Sequence, residues 1–244
     1  MNARTALVTG ANRGLGLAAC QRLLEAGFQV FLGSRDQARG EEAADLLRRN
    51  VDGALVSAVA LDVTDEASVS STAEHLEGLI PHLDALVNNA GISGPRVWPS
   101  EQPTDAMKQT FEVNFFGPHR VTRSLLPLLR AAPAARIVNV STSSGSLGNV
   151  ADPQWPYLAN ASRTLGYSAS KAALNMETIQ LAYELRDTKM KVNAICPGYT
   201  ATAFNAFKGT RDPLVSAQII VTYATLEDDG PTGGFFDEQG AIRW

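Results

Sequence analysis

Thr5-Ala6-Leu7-Val8-Thr9-Gly10-Ala11-Asn12-Arg13-Gly14-Leu15-Gly16 is a short apolar, β-prone run that stops at a glycine, followed by two further glycines. From Gly14 to Ala26 the apolar residues Leu15, Ala18, Ala19, Leu23 and Leu24 recur at helical spacing until Gly27 ends the pattern. The order is strand, glycine turn, helix. Such a turn lets the backbone bend tightly and approach a pyrophosphate at the positive N-terminus of the helix that follows. The spacing is GxxxGxG rather than GxGxxG, and glycine turns also arise for steric reasons alone, so the position directly after a first strand is what gives this one weight.

The same alternation continues outward. Strands are predicted at Gln29–Leu32, Ala54–Leu61, Asp84–Val87, Arg136–Val140 and Lys191–Ile195, and helices at Ala38–Arg49, Glu66–Leu79 and Tyr167–Leu185. A long helix over Met107–Arg130 is expected to bend or break at Pro118 and Pro127. Strands that are apolar on both faces and separated by helices predict an α/β fold, a Rossmann-type doubly wound parallel sheet with helices on both faces. The 244 residues show no linker or internal repeat, so one domain over residues 1–244 is expected.

Composition narrows the function. Lys plus Arg number 21 and Asp plus Glu 25, a formal net charge of −4, which gives no general attraction to nucleic acid. No apolar run approaches a membrane span, and no secretory leader is evident. Cys20 and Cys196 are too few for a disulfide framework, and His75, His82 and His119 lack metal-ligand spacing. A reducing, cytoplasmic setting without a metal is the expectation; Cys196 reads as a small buried residue.

In doubly wound sheets ligands bind beyond the carboxyl ends of the strands, so the turns there carry the chemistry. After the second strand comes Gly33-Ser34-Arg35-Asp36, with Arg35 near the place where an acidic residue usually binds the ribose hydroxyls of NAD. A guanidinium can instead pair with a 2′-phosphate through a charge-assisted fork, and Arg13 in the glycine turn can reach the same group, so NADP(H) is favoured over NAD(H). Either arginine taken singly could be a solvated surface charge. Asn88-Asn89-Ala90-Gly91 could let a cofactor lie against the backbone, although it is also ordinary turn composition. Tyr167-Ser168-Ala169-Ser170-Lys171 places a phenol and an ammonium four residues apart on one helix face, with small residues between them. A nearby cation makes a phenol a better acid. A lone pair at this spacing is commonly a surface feature, but of the five tyrosines only Tyr167 has a lysine four residues on.

TGANRGLG at 9–16, LDV at 61–63, NNAG at 88–91, Asn114 in FEVNFFG, IVNVS at 137–141, YSASK at 167–171 and CPGYTAT at 196–202 occur in the order of the short-chain dehydrogenase/reductase family, which the chain resembles over nearly its whole length. The resemblance implies that Tyr167 is the general acid in carbonyl reduction and that Lys171 lowers its pKa while binding the nicotinamide ribose. It implies that Asn114 helps hold a water for proton relay, and that Gly10, Asn12, Arg13, Gly14, Leu15, Gly16, Ala90 and Gly91 belong to the cofactor cradle. Asp62, Val63 and Asn89 would line the adenosine half, Pro197, Gly198 and Thr200 the nicotinamide, with Thr202 near the pyrophosphate.

The family's catalytic serine is second in an N-[VI]-S-S string, where this chain reads Asn139-Val140-Ser141-Thr142-Ser143. Direct alignment gives Thr142, whose hydroxyl has the same bonding capacity as serine; Ser143 ranks second, and a polar turn without a role is the remaining reading. An extra segment at about 149–165, containing Pro153, Trp155, Pro156 and Tyr157, and the ending Asp229–Asp237 resemble the carbonyl reductase branch. The insertion could block the helix packing that builds tetramers, so a monomer or dimer is expected. Trp98, Trp155, Tyr199, Phe204 and Phe207 could wall an apolar substrate pocket or pack within a lid, which is expected at about 201–221 because that segment lacks a strand pattern.

The leading reading is an NADPH-dependent carbonyl reductase acting on a small-molecule ketone or aldehyde. The alternatives are an NADP-dependent secondary alcohol or sugar dehydrogenase, since the same groups serve both directions, and a non-catalytic NADP sensor. The sensor reading predicts a lost tyrosine or lysine, and both are present.

Overall fold

The computed structural model describes residues 3–244, and they form one eight-stranded sheet in the order β3-β2-β1-β4-β5-β6-β7-β8. In chain order the elements are β1 (Arg4–Val8), α1 (Gly14–Glu25), β2 (Phe28–Ser34), α2 (Gln37–Asn50), β3 (Val56–Ala60), α3 (Glu66–Glu77) and β4 (Ala85–Asn88). They continue with α4 (Thr104–Phe111), α5 (Gly117–Ala131), β5 (Arg136–Val140), α6 (Leu147–Val150), α7 (Leu158–Ala161) and α8 (Leu165–Glu184). The last four are β6 (Lys191–Ile195), α9 (Pro213–Ala224), β7 (Phe235–Asp237) and β8 (Gly240–Ala241). Strands β1 to β7 run parallel, and β8 turns back antiparallel on β7.

Alternation along each strand sends side chains to two cores. Ala6 and Val8 of β1 and Val30 and Leu32 of β2 meet α1, α2 and α9, while Leu7, Phe31, Leu86 and Ile137 face α3, α5 and α8. With both faces covered, the strands are predominantly apolar, as a parallel sheet favours. Asp36, Asp65 and Asp212 start α2, α3 and α9 by accepting backbone N–H bonds from Arg39, Ala67 and Leu214.

Three local expectations change. The helix predicted over 107–130 is interrupted not at a proline but by a π-helical turn, Glu112–Phe116, between α4 and α5. Pro118 falls in the first turn of α5, where a missing N–H costs nothing, and Pro127 is carried inside the helix. The expected lid extends only over its first part: from Pro213 the chain is α9, which packs on α1 and buries Ala217, Ile220, Val221 and Ala224 in the core. Helix α9 and strands β7 and β8 were not anticipated. Among the described residues no helix is long and apolar enough to cross a membrane.

Candidate active site

The glycine turn after β1 is held from below by the turn after β4. Asn89 Nδ2 donates to the Thr9 and Gly10 carbonyls at 2.9 and 3.2 Å, and the Thr9 hydroxyl accepts from the Asn89 and Ala90 N–H groups. Gly10 has φ +62°, and a Cβ there would lie 2.9 Å from Ala90 Cα; at Gly16 it would lie 2.5 Å from Asn89 Nδ2. These glycines are therefore required by close backbone approach as well as by conformation. Helix α1 begins after Arg13 with no side-chain cap. Its first N–H groups are left uncapped behind a turn where Gly10 and Gly16 have no space for a Cβ, a residue set that fits the phosphates of a dinucleotide.

Beside the turn lies a recess of about 350 Å³ lined by Asn12, Arg13, Leu17, Arg39 and Glu42 of α2 and its neighbours. Arg35 is exposed and acts on Asp62. Arg39, one turn further along and missed in the sequence, lines the recess with Arg13; its spacing of four from Arg35 was the available signal. Burial works to raise the Asp62 carboxyl, but bonds from the Thr64 N–H and hydroxyl (2.9 and 2.7 Å) and the charges of Arg35 and Arg120 hold it below the ordinary carboxylate value. Val63 gives its side chain to the core and its carbonyl to Arg120.

The second cluster gathers at the carboxyl end of β5. The Thr142 side chain lies next to the Tyr167 hydroxyl. Ser143 instead donates its N–H to the Cys196 sulfur, and buried Ser141 donates to Asn175 Oδ1 at 2.6 Å. Of the three hydroxyl residues, the one that meets the tyrosine is therefore Thr142. Burial pushes the phenol of Tyr167 well above its ordinary value, the nearby Cys196 adds to that, and the Thr142 hydroxyl opposes it. Lys171, 3% exposed, donates from Nζ to the Val140 carbonyl at 2.7 Å, and desolvation lowers its pKa to about 8. Burial is thus the largest influence on both groups, raising the phenol and lowering the ammonium.

Asn114 is fully buried in the π-helical turn, a kind of irregularity that recurs at functional sites. Its Nδ2 donates to the Ile92 carbonyl (2.9 Å) and the Ser170 hydroxyl (3.0 Å), and its Oδ1 accepts from the Ile92 N–H (2.8 Å). It thereby ties the loop after β4 to α8. A Cβ on Gly91 would lie 3.3 Å from Asn114 Oδ1 and 3.8 Å from Lys171 Nζ, so the two clusters adjoin. Beneath them a buried relay of amides crosses the sheet: Asn88 Nδ2 donates to Thr122 and to Asn139 Oδ1, and Asn139 Nδ2 donates to Thr178.

The segment after β6 closes the cleft. Cys196 is buried, Gly198 has φ +79°, and Thr200 bonds to the Ser216 hydroxyl at 2.8 Å. A Cβ on Gly14 would lie 3.4 Å from the Thr202 side chain, and the Phe204 ring tilts over Tyr167 with centroids 5.7 Å apart. Trp155 and Tyr157 pack edge to face on each other in the 149–165 segment, while Tyr199 and Phe207 are exposed. Among the described residues no cluster of three His, Cys, Asp or Glu side chains could hold a metal ion.

Residues 4–212 match the short chain dehydrogenase family. The chain is 33% identical to (−)-isopiperitenone reductase of Mentha piperita, with 98% of each chain covered. The structure of salutaridine reductase from Papaver somniferum superposes with a TM-score of 0.81 at 30% identity, covering 96% of this chain and 99% of that one. A short chain dehydrogenase from Shigella flexneri 2a str. 301, solved in complex with NADP, gives 0.81 at 26% identity over 98% of each chain. With the parallel sheet, the glycine turn and the Tyr167–Lys171 helix, these matches make the chain a member of the short-chain dehydrogenase/reductase family, an oxidoreductase of carbonyl or CH–OH groups.

Proposed function

We propose that this protein is an NADPH-dependent reductase of ketones or aldehydes. The observation that carries this reading is the hydroxyl pair Tyr167–Thr142 beside buried Lys171, adjoining a glycine cradle at the same edge of the sheet. Gly10, Gly14, Gly16, Asn12 and Leu15 would seat the pyrophosphate, Asp62 and Asn89 would flank the adenosine, and Pro197, Gly198, Thr200 and Thr202 would border the nicotinamide. Bound there, the reduced nicotinamide supplies the hydride that reaches the carbonyl carbon.

Tyr167 donates the proton to the carbonyl oxygen, and Thr142 hydrogen-bonds that oxygen and fixes it against the phenol. Burial keeps Tyr167 protonated, so the acid form is present at neutral pH. Lys171, with a pKa of about 8, is close enough to neutrality to return a proton to the phenolate after transfer. Both Nδ2 hydrogens of Asn114 are committed to Ile92 and Ser170, so its amide positions the turn and any water relay runs through its other atoms. Arg13, Arg35 and Arg39 provide the positive charge that favours a 2′-phosphate over a bare ribose. Residues 201–212, carrying Phe204, form the lid.

The test follows NADPH and NADH absorbance against aldehydes, ketones, diketones and quinones, with Tyr167→Phe alongside. Turnover with NADPH is expected, and Y167F should lose about 10²–10⁴-fold in kcat while still binding NADPH. Wild-type turnover in Y167F would refute the assignment. Oxidation of a secondary alcohol or sugar uses the same groups in reverse, and the coenzyme ratio sets the direction.

A further inference from the structure

A second cavity, of about 520 Å³, lies between the loop after β4 and the 149–165 segment, lined by Arg96, Trp98, Pro156, Tyr157, Asn160 and Arg163. No carboxylate lines it. The Arg163 guanidinium lies 4.4 Å over the Trp98 ring, which fixes its plane and leaves its N–H edge for forked hydrogen bonds. Arg96 Nη2 donates to Asn160 Oδ1, which orients the second guanidinium while leaving its other donors available.

Many of the other arginines are paired, although among the described residues Arg4, Arg13, Arg35 and Arg49 are in no ion pair either. Arg22, Arg48, Arg120, Arg211 and Arg243 each have an Asp or Glu partner. Among the described residues Arg96 and Arg163 form no ion pair with a carboxylate, although the chain carries more acids than bases. Two oriented guanidinium groups left without an acid, in one cavity, are a receptor for an oxyanion.

Its position ties it to the reaction. Arg163 lies in the turn just before α8, four residues ahead of Tyr167, so the two backbone positions are at most about 14 Å apart. Arg96 follows Gly91, which adjoins Asn114 and Lys171, by five. The geometry points to a carboxylate-binding subsite: Arg96 and Arg163 grip the carboxylate of a substrate whose carbonyl is presented to Tyr167. Trp98 and Tyr157 flank an apolar or aromatic body between the two ends. The substrate class is therefore a carbonyl compound bearing a remote carboxylate, an inference that rests on the reductase reading above.

The test compares 4-formylbenzoate and 4′-formylbiphenyl-4-carboxylate, which differ in the span between carbonyl and carboxylate, with their methyl esters. Binding to the NADP⁺-loaded protein is measured by calorimetry, and turnover by NADPH oxidation. At least one acid should bind about ten-fold or more tightly than its ester. That preference should shrink as salt rises, fall to parity in the R96Q/R163Q double variant, and survive in part in R96K/R163K, which keeps both charges. Esters binding as tightly as acids in the wild type, or a preference that survives R96Q/R163Q, would overturn the inference while leaving the reductase reading intact. Tighter binding of an acid with no NADPH oxidation by any of the four aldehydes would overturn the reductase reading and the substrate role with it.

Discussion

Replacing Lys171 by methionine should change how stability depends on pH, in a direction fixed by burial. The ammonium is 3% exposed, and desolvation lowers its pKa from the ordinary 10.5 to about 8. At about 1.4 kcal/mol per tenfold change, that drop is a penalty of about 3 kcal/mol on the folded state where both states are protonated, below about pH 8. Between about pH 8 and 10.5 the unfolded chain binds the proton more tightly than the folded one, so this contribution makes stability rise with pH. About 2 kcal/mol of the penalty should be relieved between pH 7 and 9.5. Cys20, Cys196 and Tyr167 act in the opposite sense, because burial raises all three and they ionise first in the unfolded chain. Both proteins share them, so they cancel in the comparison. Urea denaturation of wild type and K171M at pH 7 and pH 9.5 measures the difference directly. The wild type should gain about 2 kcal/mol relative to K171M over that interval, and K171M should be inactive at both values. A stability difference independent of pH would refute the argument that the buried ammonium bears this cost.

Three further outcomes follow from the site. Thr142→Ala should lower kcat by about 10-fold or more and Thr142→Ser should restore most of it, while Ser143→Ala should do less; initial rates with one carbonyl substrate separate them, and a larger loss in S143A would move the role to Ser143. Arg35→Asp should raise KM for NADPH and shift preference toward NADH, which the ratio of kcat/KM for the two coenzymes reports; an unchanged ratio would remove Arg35 from 2′-phosphate recognition. Gly10→Ala should cost about 1–2 kcal/mol for the left-handed conformation alone, beyond the 2.9 Å clash with Ala90 Cα, and a thermal melt within a degree of the wild type would contradict it.

The parts of this fold that were legible in the sequence are those with a local cause. Arg136–Val140 and Lys191–Ile195 have the predicted bounds because each is a short β-branched run cut off by polar or turn residues. The glycine turn and the Tyr167–Lys171 spacing were readable because steric need and helix geometry act over a few residues. Helix α9 was missed because Leu214–Ala224 is apolar nearly all round, which gives no amphipathic stripe, and such a run cannot be told from a buried strand by periodicity. Strand β7 is three residues long and takes its register from β6, some forty positions away, so nothing nearby encodes it. The π-helical turn at Asn114 depends on the buried amide bonding across to Ile92 and Ser170, a tertiary demand. The preference for Thr142 over Ser143 likewise rests on neighbours distant in sequence, Tyr167 for one and Cys196 for the other.

Helix α9 sets where variation can be tolerated. Its buried face is bolted to α1, and β6 ends at Ile195 within the sheet, so residues 201–212 are a loop suspended between two fixed posts. The 149–165 segment is pinned in a similar way at its start, where Ser146 and Gly148 bond to the backbone of Arg243 and Trp244 and Asp152 pairs with Arg243. Mutations that lengthen, shorten or recompose either loop leave both cores untouched and have little stability to lose. For laboratory evolution, these two stretches form a natural cassette: libraries confined to them can diversify the compounds accepted while the proton-donating helix and the glycine turn are inherited unchanged.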